Sequence, residues 1–348
     1  MATIMGSQFS ASAGTTVEFA TNGTFPTAPN GSSIAIFVGS DANAPSFSTI
    51  QGLGYQGLGV LAPGGYELDL IGGSFAVTDN GSGGDTLVAD GTNETIAGGA
   101  NFVNLILNGS GNTANGGSGP GFIEVNGTGN TVNTGTGPQV VNVDTAGNTV
   151  NVGSGNNVIS ISANNTTVNG GAAASGADTI TATGNGENIT AGTGPNLINA
   201  TGTGTTLTAG SGNDTLNVFG NGDTITGGSG TDVIGAYAND VSVTGGSGPS
   251  TVIVTGTADT VTAGSGNMLV EAAGSPFQFN DASNVYADTV VGFNQSAGDR
   301  IHLTTDTVSD ALANSQLVNG GNDTLITLSD HSTILLKGVT SINSNFFN

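Results

Sequence analysis

Aspartate recurs in this 348-residue chain at a spacing that can gather oxygen around a hard cation. From Gly72 to about Ala272 the sequence falls into an 18-residue frame. One slot of it reads Asp85, Val103, Gly121, Gln139, Asn157, Asp178, Asn196, Asp214, Asp232, Ser250 and Met268. The aspartates follow glycine-rich turns, as in AGSGNDTLNV (Ala209–Val218) and GGSGTDVIG (Gly227–Gly235). Glycines let the backbone curl so that carbonyl oxygens turn inward, and the carboxylate adds a charged oxygen. Two such turns one tier apart can complete a six-oxygen calcium shell. Asp214 and Asp232 are adjacent in the slot and form the leading pair, with Asp178 and Asp85 more isolated. On the other side of the frame Asp223, Asp240 and Asp259 fall in nearly equivalent slots, Asp240 one residue out of step, whereas earlier units carry Asn112, Asn130 and Asn148. The pattern predicts few Ca2+ ions, clustered toward the C-terminal half. The alternative is that these aspartates only cap turns.

The elements that must position those residues are legible in the same frame. Asn126 to Val143 reads NGTGNTVNTGTGPQVVNV, and Thr201 to Val218 reads TGTGTTLTAGSGNDTLNV. Position 7 is apolar in Ile96, Val132, Val150, Ile189, Leu207, Ile225 and Val261; position 16 in Leu87, Leu105, Ile123, Val141, Ile198, Leu216 and Val270. Each unit thus supplies two short strands that cannot bury their apolar residues alone, and stacking like over like closes a thin core. Outward columns repeat too: Thr113, Thr131 and Thr149 at position 6, Asn115, Asn133 and Asn151 at position 8, the latter switching to Thr208, Thr226 and Thr262. The expected fold is all-β, a parallel β-roll or β-solenoid of about eleven 18-residue tiers, with an insertion around Ala172–Ala174. Residues 1–71 read as a small N-terminal β segment, 72–272 as the solenoid and 273–348, where larger residues return, as a C-terminal β cap.

Composition narrows the function. Sixty-one glycines without a Gly-X-Y triplet exclude collagen, and the regular valine and isoleucine spacing argues against disorder. Twenty-five acidic residues face two basic ones, Arg300 and Lys337, for a net charge of −23, so nothing neutralises phosphates and no nucleic acid partner is expected. With no cysteine there is no disulfide framework. The first residues, MATIMGSQFSASAGTTVEF, have neither a basic n-region nor a long apolar run, so neither a signal peptide nor a transmembrane segment is expected. His302 and His331 have no metal-ligand spacing and the repeats have no Arg or Lys to stabilise a sugar carboxylate, which points away from an enzyme.

The turns AGSGNDTLNV, GGSGTDVIG and GSGGDTLV (Gly81–Val88), with ADTVVGFNQSAGDRIHL (Ala287–Leu303) and GGNDTLITLSDHSTILLKGVTSINSNFF (Gly320–Phe347), resemble the RTX family, secreted calcium-binding nonapeptide-repeat proteins. The resemblance covers about residues 72–348. It implies calcium ions in the repeat turns and an uncleaved C-terminal signal read by a type I secretion exporter, which fits the absent signal peptide and cysteines. The family's aspartate recurs in nearly every turn, whereas here Asn, Gln, Ser or Met often takes the slot.

The resulting expectation is a secreted, calcium-binding structural protein of the bacterial cell surface: a surface-layer, filament or matrix subunit that self-assembles through its solenoid. The outward apolar row Phe122, Val140, Val158, Leu197, Val233 and Leu269 is the candidate lateral contact between copies. The rival is an RTX-type binding module or adhesin. Ice is its specific ligand, met by Thr206-Leu207-Thr208, Thr224-Ile225-Thr226 and Thr260-Val261-Thr262, whose paired hydroxyls point outward about 7 Å apart.

Overall fold

The computed structural model describes residues 84–171, 174–274, 276–281 and 286–348. Before residue 84 it describes Thr27 and the backbone of the strands Phe9–Ala11, Thr16–Ala20, Ser33–Val38, Gly57–Ala62, Gly65–Leu70 and Ala76–Asp79. Of the expected insertion, Ala172 and Ala173 lie outside the described residues, as do most of the turn signals read before residue 71.

The chain is an all-β parallel β-solenoid of about 12 turns, roughly 18 residues per turn, with almost no helix. It forms two compact units, Met1–Asn169 with Ala173–Thr179, and Gly170–Ala172 with Ile180–Asn348. From Asp85 to Ala272 each turn contributes one strand to one sheet and a second, of equal or greater length, to another. In the first unit the short strands Thr113–Asn115, Thr131–Asn133 and Thr149–Val152 pair in parallel, Ala114 beside Val132 and Val132 beside Val150. The longer strands Gly121–Val125, Gln139–Val143 and Val158–Ile161 do the same, with Ile123, Val141 and Ile159 abreast. The second unit repeats the scheme through Leu207, Ile225, Val243 and Val261 on one sheet and Ile198, Leu216, Ile234, Val252 and Val270 on the other.

Those columns are the core. Every position-7 and position-16 residue from Leu87 to Val270 is buried. Each sheet alternates its side chains in and out, so apolar residues spaced by two fall on the inner face and Thr or Asn on the outer. The tiers approach closely because glycine fills the corners: a Cβ on Gly230 would collide with the carbonyl oxygen of Gly212 and come 2.5 Å from its carbonyl carbon.

The coil extends beyond the expected boundary at Ala272. Phe277–Asn280 pairs with Asp259–Thr262, Ala287–Val291 with Met268–Ala272, and Arg300–His302 with Phe277–Asn280, all in parallel. The frame vanishes from the sequence there because turns lengthen, while inward Phe277, Phe279, Val290 and Ile301 keep the core. The C-terminal end then carries a cap. The antiparallel strands Ser315–Val318, Asp323–Thr327 and Thr333–Lys337 cover the edge of Ala287–Val291, and Phe347 bridges to Ile301. Phe293 packs edge-on against Phe277 at 5.9 Å and stacks on Phe346 at 5.6 Å. An uncovered strand edge would invite pairing with another chain, and these contacts cover the edge of Ala287–Val291 and part of that of Arg300–His302.

Candidate functional site

The aspartate slot does not open onto the surface. Asp85, Asp178, Asp214 and Asp232 on the longer-strand side, and Asp223 and Asp259 on the other, are all buried. Each stands at or just before the start of a strand. There Asp178, Asp214, Asp232, Asp223 and Asp259 meet a backbone N–H of the preceding tier that has no strand partner of its own. The side chain supplies it. Asp214 Oδ1 accepts from Asn196 N at 2.8 Å, and Asp232 Oδ1 from Asp214 N at 3.0 Å. Asp178 Oδ1 accepts from Asn157 N at 2.7 Å, Asp223 Oδ1 from Thr205 N at 2.8 Å, and Asp259 Oδ1 from Val241 N at 2.8 Å. These aspartates cap the N–H of the preceding tier, and Asp214 and Asp232 also accept from a glycine N–H of their own turn.

Asparagine does the same work. Asn112, Asn130 and Asn148 accept from the N–H of Glu94, Asn112 and Asn130 at 2.7–2.8 Å, forming a vertical chain through the first unit. Their Nδ2 groups donate to nearby carbonyls, Asn130 to Gly109 O at 3.0 Å and Asn112 to Gly91 O at 3.1 Å. Gln139 reaches Gly119 O at 2.8 Å, and Asn157 Oδ1 accepts from Gln139 N at 3.0 Å. The exchange of Asp for Asn in the slot follows, since either side chain supplies the oxygen acceptor, whereas the Gln139 side chain only donates and its Oε1 completes no hydrogen bond.

In the leading pair the oxygens expected to face a cation are already hydrogen-bonded to backbone amides. Both oxygens of Asp214 and of Asp232 are engaged by amides, Oδ2 of each accepting from Gly210 N at 3.2 Å and Gly228 N at 2.8 Å. A cation there would have to share those oxygens with the amides. On the opposite side the expected trio is not assembled. Asp240 is exposed, with φ 59°, and Val241 fills the inward slot between Asp223 and Asp259. A shift of one residue along an alternating backbone turns a side chain from the interior to solvent. Among the described residues no group of three His, Asp or Glu side chains is spaced to hold a metal ion.

The buried carboxyls have altered acidities. Burial pushes Glu94 up to about 8, against an opposing bond from the Gly91 amide and with help from Asp90. Burial likewise raises Asp223 and Asp259 to about 6, opposed by the Thr205 and Val241 amides respectively. The amides of Gly220 and Gly204 also favour the Asp223 anion, yet its Oδ2, like Asp259 Oδ2 and Glu94 Oε1, completes no hydrogen bond. Asp178 and Asp214 are raised by burial too, partly offset by Asn157 and Asn196.

No protein-family model matches the chain, and no curated protein matches it. The likeness to RTX proteins therefore rests on the repeat and C-terminal motifs alone.

Sequence reading missed several members of the two columns. Glu94 lies 18 residues before Asn112, and Asp288 and Asp299 accept from Met268 N and Phe277 N at 2.8 and 3.1 Å. The 18-residue spacing could have found Glu94; the lengthened turns hid the other two. Also missed was an aromatic pair on the outer surface, Phe219 and Tyr237, stacked with centroids 5.2 Å apart.

Proposed function

We propose that this chain is a structural protein of the bacterial cell surface, a scaffold that associates with copies of itself through its outer faces and whose tiers hold without metal. The observation carrying this reading is that the interior is given over to tier stacking, while the outer face repeats tier by tier. Val140 and Val158 stand 42% and 49% exposed at equivalent places on adjoining strands of the first unit, with half-buried Phe122 one tier before them. A row of exposed apolar side chains at strand spacing is a surface made for lateral contact. The acidic, cysteine-free composition and the RTX-like C-terminal motifs support export to the outside of the cell. Side-to-side packing through this row is the proposed route, the edge of Ala287–Val291 being covered by Thr333–Lys337.

Negative-stain microscopy and size-exclusion chromatography in EDTA and in calcium test this. Sheets or fibres are expected in both, and Val140→Lys with Val158→Lys should return the protein to monomers at unchanged thermal stability. Monomers under all conditions would sink self-assembly. Assembly or a melting transition that needs calcium would sink the metal-free reading of the columns.

A second reading has its own observation. In the second unit Thr206 and Thr208, Thr224 and Thr226, Ser242 and Thr244, and Thr260 and Thr262 lie in register on the outer face of the short-strand sheet. Thermal hysteresis of the purified protein would favour ice binding over self-association; its absence at high concentration discards it.

A further inference from the structure

The outer face of the longer-strand sheet in the second unit carries a feature that stacking does not require. Phe219 and Tyr237 follow successive strands at the same frame position, 50% and 38% exposed, their rings stacked with an interplanar angle of 22°. Thr201 and Thr255 occupy that position in the tiers to either side. Tyr237 has a seat prepared for it. A Cβ on Gly235 would strike the ring at Cε2 and come 2.7 Å from Asn217 Oδ1, so ring and carboxamide converge over a glycine. Asn217 in turn donates from Nδ2 to Asn199 Oδ1 at 2.9 Å, which fixes the amide's orientation and leaves its oxygen turned toward the aromatic pair. Leu197 and Val233 stand exposed in the neighbouring row. No outward-facing strand residue of this sheet between Leu197 and Thr255 is charged, on a chain whose net charge is −23, and the exposed carboxylate nearest to Tyr237 along the chain is Asp240, three residues on in the turn.

Rigid exposed rings, an oriented amide, nearby threonine hydroxyls and local neutrality match one ligand chemistry. The C–H face of a sugar ring packs on aromatic carbon, and neighbouring hydroxyls pair with a carboxamide that can both donate and accept. Neutrality argues against an acidic glycan, for which this surface has no cation, and against a polycation, for which it has no carboxylate. We infer that the Phe219–Tyr237–Asn217 surface is a binding site for a neutral polysaccharide. It stands apart from the scaffold reading and uses a different face position from Val140 and Val158.

Affinity electrophoresis of the full chain tests this, in gels containing hydroxyethylcellulose, laminarin or glucomannan, with polygalacturonate as the acidic control. Retardation by at least one neutral polymer and not by polygalacturonate is expected. It should vanish in Phe219→Ala/Tyr237→Ala and in Gly235→Ala, which unseats the ring with both aromatics still present, while far-UV circular dichroism and melting temperature stay those of the parent. Retardation by none of the neutral polymers, or retardation that survives these substitutions, overturns the site. So does a parent protein that dimerises through this face, becoming monomeric in the double variant without ever binding polymer.

Discussion

Replacing Asn130 by leucine is expected to lower the unfolding free energy on the order of 4 kcal/mol, among the largest effects of any single polar substitution in the chain. Asn130 is 1% exposed in the middle of the first unit. Its Oδ1 receives Asn112 N and its Nδ2 satisfies Gly109 O, so leucine orphans two groups at once. Each buried unpaired group costs about 1–3 kcal/mol, and leucine's added bulk cannot recover this in an interior already filled by the columns. Asn130→Asp makes the comparison diagnostic. It retains the acceptor for Asn112 N and loses only the donor, so near pH 4, where the carboxyl takes a proton, it should approach the parent. At pH 8 it should fall well below it, because the charge is buried. Urea unfolding followed by circular dichroism measures both. A leucine variant within about 0.5 kcal/mol of the parent would mean that the column does not hold the tiers.

That chain of bonds shows where sequence reading reaches its end. The stacking register was legible because each inward apolar residue repeats after one turn: Val132 beside Val150 and Ile225 beside Val243 are what period alone implies. The direction of the polar slot was not. Asp214 in a Gly-rich turn has the same composition whether its carboxylate faces outward to a cation or inward to Asn196 N, and only backbone geometry separates the two. Asn157 and Asn196 in the slot were the available hint, since an amide oxygen serves an N–H as well as a carboxylate does but is a weaker partner for calcium. Asp240 shows the converse limit. Its spacing from Asp223 and Asp259 is off by one, a small defect in a list of letters but a change of face in a strand-like chain. Phe219 and Tyr237 were one frame apart in plain view, and what escaped notice was that Gly235 clears the space in which their rings settle.

The same buried carboxyls predict a fold that gains stability in acid. In EDTA the melting temperature should rise as pH falls from 8 to 5, by roughly 5 °C or more. Glu94 is raised to about 8, Asp281 to about 7, and Asp223, Asp259 and Asp288 to about 6. Burial is the leading cause in every case; at Asp281 the charges of Asp330, Asp288 and Asp306 add to it, and at Asp288 the Met268 amide opposes it. Unfolded carboxyls titrate near 4, so in this range the folded chain holds protons that the unfolded chain has released. Acid therefore favours the folded state, starting as pH drops through 8 and finishing near 4, where both states are protonated. Mutual repulsion across a net charge of −23 weakens along the same path and adds in the same direction. Glu94→Gln isolates one contributor: the amide keeps an acceptor for Gly91 N, now met by Glu94 Oε2 at 3.0 Å, without the ionisation cost. The variant should melt higher than the parent at pH 8 and equally at pH 5. A melting temperature that falls steadily on acidification, or a Glu94→Gln protein less stable than the parent at pH 8, would mean that these carboxyls remain solvated anions inside the coil.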